Sequence, residues 1–356
     1  MGFVTGMMLV DAPASALNNA GQEEGARTDN TIAVKRIRTR TGDYPYVSAQ
    51  AVRYWLRTYL ERSGSGWKAA PVRREAKIAY VDGDPIEWWD DDLFGYMRAP
   101  SKKADAAGSA NQPQLSPVSG EITRISPLRM GTLVSLAPVS IVDDFGTMAR
   151  HDGDPVPHEH QFYKATLQGL FSLNLTTAGT FFHGGRVGYR NLDDNRVSKA
   201  QQTNLQAVKI HGQPAYRLLS ADRAKRVAAL VRAIGELEGG AKLALHYTDV
   251  TPGVLIAAVT KAGNHPFSRA FRANSQREPE VVIDAVKEVL RVYKDQLLSK
   301  VFVGWAKGYL DDERAKVEAL TDADRSEVTL HWGHPREVMA ALATELENPN
   351  NSTWYD

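Results

Sequence analysis

The stretch "TIAVKRIRTRTGDYPYVSAQAVRYWLR", residues 31 to 57, carries Lys35, Arg36, Arg38, Arg40, Arg53 and Arg57 against one acid, Asp43. Guanidinium and ammonium groups at this density neutralise phosphates, and such contacts are blind to base sequence. Residues 31 to 74 hold ten basic side chains and two acids, a surplus of eight, in a chain whose net charge is +1. The remainder is therefore acidic overall. This asymmetry has two readings: a focused basic surface for a polyanion, or acidic segments that fold back over it. Charge alone does not choose between them.

Three other groups carry residue types that do chemistry. Asp90, Asp91 and Asp92, in "EWWDDDLFGYM", form a carboxylate run of the kind that holds Mg²⁺ for phosphodiester cleavage. Adjacent acids on a strand point to opposite faces, so a solvated turn, or contact with a neighbour's basic patch, is the expectation. His151, Asp152, Asp154, His158, Glu159 and His160 invite a metal reading, since His158 and His160 would share a strand face. No third ligand stands at a recognised spacing, and no metal or other cofactor is expected. "HGGRVG" (183 to 188) lacks the P-loop Gly-Lys-Ser/Thr and the Rossmann spacing. It is expected to turn the chain, with Arg186 and Arg190 as secondary phosphate contacts. The chain has no cysteine, which excludes disulfides, thiolate metal sites and cysteine nucleophiles.

The elements that would position these groups are legible in part. Alternation over 32 to 40 predicts a strand with Arg36, Arg38 and Arg40 on one face, about 6.6 Å apart, and Lys35, Ile37 and Thr39 on the other. Charges that close repel unless an anion lies across them. "TGDYP" turns the chain, and Ser48 is the expected N-cap of a helix from Ala49 to about Arg62. Val52, Trp55, Leu56 and Tyr59 form its apolar side, with Gln50, Arg53 and Arg57 on the neighbouring stripe. Its N-terminal amides favour phosphate.

Residues 2 to 10 read as a first strand rather than a signal peptide. Residues 98 to 120, rich in Ala, Ser, Pro and Gly, read as a mobile loop. Helices are predicted over about 221 to 238, stopped by Gly239, over about 279 to 300, with Pro279 near the first turn, and over 335 to 346, before a frayed tail "NPNNSTWYD". Strands and helices interleave without strict alternation, which makes α+β the expected class. At 43% hydrophobic residues and with no apolar run approaching twenty, the chain reads as soluble and globular, with no membrane partner. The absence of cysteine fits a cytoplasmic protein.

"VSAQAVRYWLR" (47 to 57), behind a basic strand, resembles the signature of the backbone subunit of CRISPR Cascade complexes, the Cas-seven family. There a helix opens Val-Ser-Ser-Gln and carries basic residues one and two turns on. Ser48, Gln50, Arg53 and Arg57 hold the matching places, and Ala49 replaces the second serine. "DLFGYM" (92 to 97) is similar to the family's element at the base of the thumb. "MLVDAPASALNNAG" with "YPYVSAQAVRYW" resembles the DevR-like branch of type I-B systems. A weaker match of strand pattern extends to about residue 182.

The resemblance implies one hand-like domain over 1–356. Its palm, a modified RRM or ferredoxin-like sheet, takes 1–90 and 121–182; a thumb hairpin insertion takes 91–125, or shares the role with 143–160. The remaining palm and helical fingers take 183–345. The implied function is that of a non-catalytic, crRNA-binding backbone subunit in antiviral defence. Copies polymerise head to tail along the guide RNA and present it to target DNA, alongside other Cascade subunits. Lys35, Arg36, Arg38, Arg40, Ser48, Gln50, Arg53, Arg57, Asn18 and Asn19 are the implied RNA contacts. Phe94, Met97, Arg98, Lys102 and Lys103 are the implied thumb and base wedge, with Met97 preferred to Met148 of "DDFGTM". Two alternatives are a metal-dependent ribonuclease using one of Asp90 to Asp92, as in related type III subunits, and a basic DNA-binding regulator. For the latter no helix-turn-helix or zinc-finger pattern is present.

Overall fold

The run "FVTGMMLVDA" is apolar without alternation, as a strand covered on both faces must be. In the computed structural model it forms the first half of β1 (Phe3–Ser15), the middle of the main sheet. The structure describes residues 1–23, 30–75, 77–102, 112–150, 152–185 and 189–356; Lys103, His151 and Arg186 lie outside them. Two hairpins follow β1, β2 (Asn19–Gln22) with β3 (Thr31–Val34) and β4 (Arg36–Thr39) with β5 (Gly42–Val47), leading into α1 (Ala49–Arg62). The hairpin of β6 (Val72–Glu75) and β7 (Ile78–Val81) precedes α2 (Trp89–Phe94), and β8 (Tyr96–Arg98) pairs with β9 (Ile122–Arg124). Then come β10 (Leu128–Met130), β11 (Leu133–Ser135), β12 (Val142–Met148) and the long β13 (Val156–Asn174).

The second half begins with β14 (Thr180–Phe182), α3 (Asp194–Gln202), β15 (Gln206–Ile210), β16 (Gln213–Arg217) and α4 (Ser220–Gly235). It continues through β17 (Val254–Thr260), β18 (Phe271–Ala273), β19 (Pro279–Val281) and α5 (Ile283–Val292). It closes with β20 (Val301–Trp305), α6 (Asp311–Glu318), β21 (Leu330–Gly333) and α7 (Pro335–Glu347).

The main sheet runs β21-β20-β17-β1-β13-β11-β5-β4. β1 and β13 pair antiparallel from Phe3 against Asn174 to Ser15 against Tyr163, with a register shift between Ala12 and Ser15. Even-numbered β1 residues, Val4, Met8 and Val10, join the core under α1, α4 and α7. Met7 and Leu9 join a second core with β17, β20 and α5. The class is α+β, as expected. Among the described residues no helix is long and apolar enough to cross a membrane.

Several boundaries differ from the sequence reading. The predicted strand over 32 to 40 is broken at Lys35, because β3 pairs with β13 while β4 pairs with β5. The helix predicted from 279 is shorter: Pro279 lies on β19, paired to Ala273 of β18, and α5 spans only Ile283–Val292. α4 ends at Gly235, and Gly239 serves packing instead, since a Cβ there would sit 2.2 Å from the Trp55 ring. The tail is not frayed. Residues Pro349–Tyr355 form a 3₁₀ turn that buries Trp354 and Tyr355, and Arg223 donates to the Tyr355 carbonyl at 2.9 Å. α3 and α6 have no counterpart in the sequence reading.

Candidate nucleic-acid interface

Ser48 does cap α1, its hydroxyl accepting from Ala51 N at 3.4 Å. Asn18 holds the same corner: its side-chain oxygen accepts from Ser48 N at 3.0 Å and its carbonyl from Lys35 N at 2.8 Å. The Asn19 side-chain oxygen is buried without a hydrogen bond among the described residues. Gln50 is exposed on the first turn of α1. Val52, Trp55 and Leu56 are buried as the periodicity predicts.

Arg36 and Arg38 share a face of β4, and an anion does lie across them. It is the chain's own. Glu23 meets Arg36 at 2.8 Å and Arg38 at 2.9 Å, and Asp43 meets Arg36 at 3.2 Å. The Arg36 side chain is only 11% exposed, whereas that of Arg38 is 69% exposed. Arg40, in the turn beyond β4, is exposed, and neither it nor Lys35 makes an ion pair among the described residues.

The stripe on α1 is turned inward. Arg53 donates to the Phe94 carbonyl, to the Leu128 carbonyl at 2.9 Å and to Ser126 Oγ at 3.1 Å. Burial, then the neighbouring charge of Arg57, pulls its pKa down to about 10. Arg57 lies over the Phe94 ring, 4.2 Å from its centroid, and 3.8 Å from Asp90. Farther along, Arg62 pairs with Glu238 and Lys68 with Glu87. Much of the basic surplus is thus answered by acids and carbonyls of the same chain; Arg38 and Arg40 are exposed and Lys35 is half-buried.

The expectation that Asp90 to Asp92 sit in a solvated turn is overturned. They form the first turn of α2 and all three are buried. Asp90 accepts from Trp67 Nε1 at 2.8 Å, Asp91 from Asp84 N at 2.9 Å, and Asp92 from Arg124 at 2.5 Å and Arg226 at 2.9 Å. Burial raises the Asp91 pKa to about 7, with Asp82 and Asp90 adding to the shift. Each carboxylate serves a different partner because a helix splays consecutive residues by about 100°.

The "LFGYM" element is explained by close approach. Gly95 has φ +71°, and a Cβ there would stand 2.5 Å from the Arg124 carbonyl. This lets β8 return against β9. Of the expected wedge residues, Phe94 and Arg98 are buried under the neighbouring elements. Met97 is 73% exposed and Lys102 is exposed. Within 98 to 120, Leu115 and Val118 are buried, so that part is packed rather than loose.

A second projecting hairpin is built from β12 and β13, with Met148 opposite Val156 and Phe145 opposite Glu159. Val142, Phe145, Met148 and Val156 are exposed, an apolar edge outside either core. Its root is locked to the basic strand. Gln161 accepts from Arg36 Nη1 at 2.8 Å and Val34 N at 3.2 Å, and donates to Asp143 at 3.0 Å. β3 also pairs with β13 at Glu159 and His160, and Thr31 donates to Glu159 at 3.0 Å. Sequence reading missed Gln161, which lies 125 residues from Arg36 and carries no local signal. It also missed Glu23, although the acids in "GQEEGARTDN" stand just before the basic strand. Glu159 thus faces away from His158 and His160, which do share a face. Among the described residues no group of three or more His, Asp or Glu is arranged to hold a metal. Arg190 bridges to His183 through the backbone.

No family model matches this chain, and no curated protein matches it. Solved structures do. A chain titled "CRISPR RNA-guided surveillance complex, pre-nicking" aligns with 97% of this chain and 100% of its own length, at 11% identity and a TM-score of 0.53. Another, "CRISPR RNA-guided surveillance complex", covers 96% and 99% at 12% identity, with a TM-score of 0.49. The first likeness is one of fold.

Proposed function

We propose that this chain is a non-catalytic, guide-RNA-binding backbone subunit of a CRISPR surveillance complex, of the type I-B, DevR-like kind. The carrying observation is the set of hydrogen bonds at Gln161, which ties an exposed apolar hairpin to the strand that carries the exposed Arg38. A wedge that unstacks bases and a rail that holds phosphates must keep a fixed spacing, because the strand's repeat is fixed. In this reading β12–β13 is the thumb, with Met148 and Phe145 as wedge, and Lys35, Arg38, Arg40 and Gln50 contact the RNA backbone. Arg36, Arg53 and Arg57 support these groups from beneath. The main sheet is the modified RRM-like palm and the C-terminal helices are the fingers. Copies stack head to tail along the guide, with target DNA and other subunits joining through the assembled filament. The near-complete coverage of a surveillance-complex chain supports the reading.

The test is nuclease digestion of RNA bound to the purified chain. A regular ladder of protected lengths is expected, from protomers repeating on one strand. A single protected length, or none, counts against it.

A further inference from the structure

The loop after α4 folds back on the β12–β13 hairpin and brings basic and imidazole groups together. Lys242 Nζ stands 2.6 Å from His160 Nδ1. The His158 ring lies 5.0 Å from that of His160, and the His246 ring stacks on Phe162 at 5.1 Å. An ammonium has no lone pair, so Lys242 donates and His160 accepts, which keeps the His160 proton on Nε2. Asp144, opposite His160 in the hairpin register, is the carboxylate nearest this group in the pairing. Burial, then Lys242, His158 and His246, hold the His160 pKa below its ordinary value, while Asp144 opposes them. His246 Nε2 is buried without a hydrogen bond among the described residues. Next to it in the chain, Tyr247 presents its ring to solvent at 78% exposure.

Donors gathered around an ammonium that makes no ion pair among the described residues suit one class of ligand, a phosphate group. We propose that His158, His160 and Lys242 bind one phosphodiester of a single-stranded RNA, with Tyr247 as a stacking platform for an adjoining base. Sequence-blind strand binding combines such charge contacts with aromatic stacking. The site uses residues other than Arg38 and Arg40 and gives the strand a second anchor at the root of the hairpin. The inference rests on the RNA-binding reading above.

The experiment measures binding of a twelve-residue oligouridylate by fluorescence anisotropy from 50 to 300 mM salt. Lys242→Ala with His160→Gln is expected to weaken binding several-fold and to lower the salt slope by about 0.7 for each phosphate no longer neutralised. Tyr247→Ala is expected to cost about tenfold by loss of stacking. His158→Gln leaves the 2.6 Å hydrogen bond between Lys242 and His160 intact and serves as the second variant should the double variant unfold. It should weaken binding in the same direction. Unchanged affinity and slope in these variants, with Arg38→Ala and Arg40→Ala still weakening binding, overturns the second anchor and leaves the functional reading standing. No RNA affinity in the wild type overturns both.

Discussion

Arg53 donates its Nη2 hydrogen to the carbonyl oxygen of Phe94, and so fastens α1 to the end of α2. The Phe94 ring is in turn covered by Arg57. A pair of guanidiniums that the family resemblance implies as RNA contacts is therefore a clamp on the fold. Removing Arg53 takes the side-chain donor from the buried Phe94 carbonyl, while the Leu128 carbonyl keeps Ser126 Oγ at 2.6 Å. Arg53→Ala should lower stability by about 2–3 kcal/mol, the cost of burying groups without partners. Arg53→Lys should recover only part, since an ammonium lacks the forked geometry. Denaturant unfolding of the free chain measures both, and an unchanged midpoint for Arg53→Ala would refute the clamp.

Asp92 pairs with both Arg124 and Arg226, and among the described residues neither guanidinium has another carboxylate partner; all three are buried. Asp92→Ala should destabilise by about 3–5 kcal/mol, because two guanidiniums then lie in the interior without their counter-charge. A thermal scan should show a large fall or no folded protein. A shift under a few degrees would contradict the assigned pairing.

Asp91 has its carboxyl pKa raised by burial from 3.8 to about 7. The folded state therefore binds more protons than the unfolded one between those values. Stability from this group is greatest at low pH, falls as pH rises through that window, and levels off above about 7. The total is on the order of 4 kcal/mol. Asp91→Asn keeps an acceptor for Asp84 N and removes the titration. Unfolding midpoints at pH 5, 6, 7 and 8 should converge for the two proteins at low pH and diverge in favour of the variant at high pH.

Arg38 and Arg36 are neighbours on one face with opposite duties. Arg38→Ala with Arg40→Ala should leave stability within about 0.5 kcal/mol of wild type, as exposed substitutions do. It should also weaken RNA binding for every sequence and reduce its salt dependence. Arg36→Ala should instead lower stability, because Glu23, Asp43 and Gln161 are each deprived of a donor or counter-charge. Paired melting and anisotropy curves separate the two duties.

Removal of residues 349–356 should cost more than a dangling tail would. Trp354 and Tyr355 leave the core, each worth about 2–3 kcal/mol of burial, and Arg223 loses the Tyr355 carbonyl. Limited proteolysis and melting of the truncated chain check this.

Local patterns marked α1, its cap at Ser48 and the α+β class, because each is decided by residues within a few positions of one another. They also placed Arg36 and Arg38 on one face, and the repulsion argument called for an anion between them. Which anion it would be was not legible. Glu23 reaches the pair only because β2 and β3 fold beside β13, and Gln161 arrives from another part of the chain. The acids at 90 to 92 misled for the same reason: a strand or turn would expose them, while a helix pressed against Arg57, Arg124 and Arg226 buries them.

By itself the amino-acid order determined where α1, α4 and α7 start, which side chains share a face, and that one segment holds far more positive charge than its neighbours. Only the tertiary structure decided which of those charges still face outward. Ion pairs form between groups a few ångströms apart in space, and that distance is set by sheet pairing rather than by position along the chain.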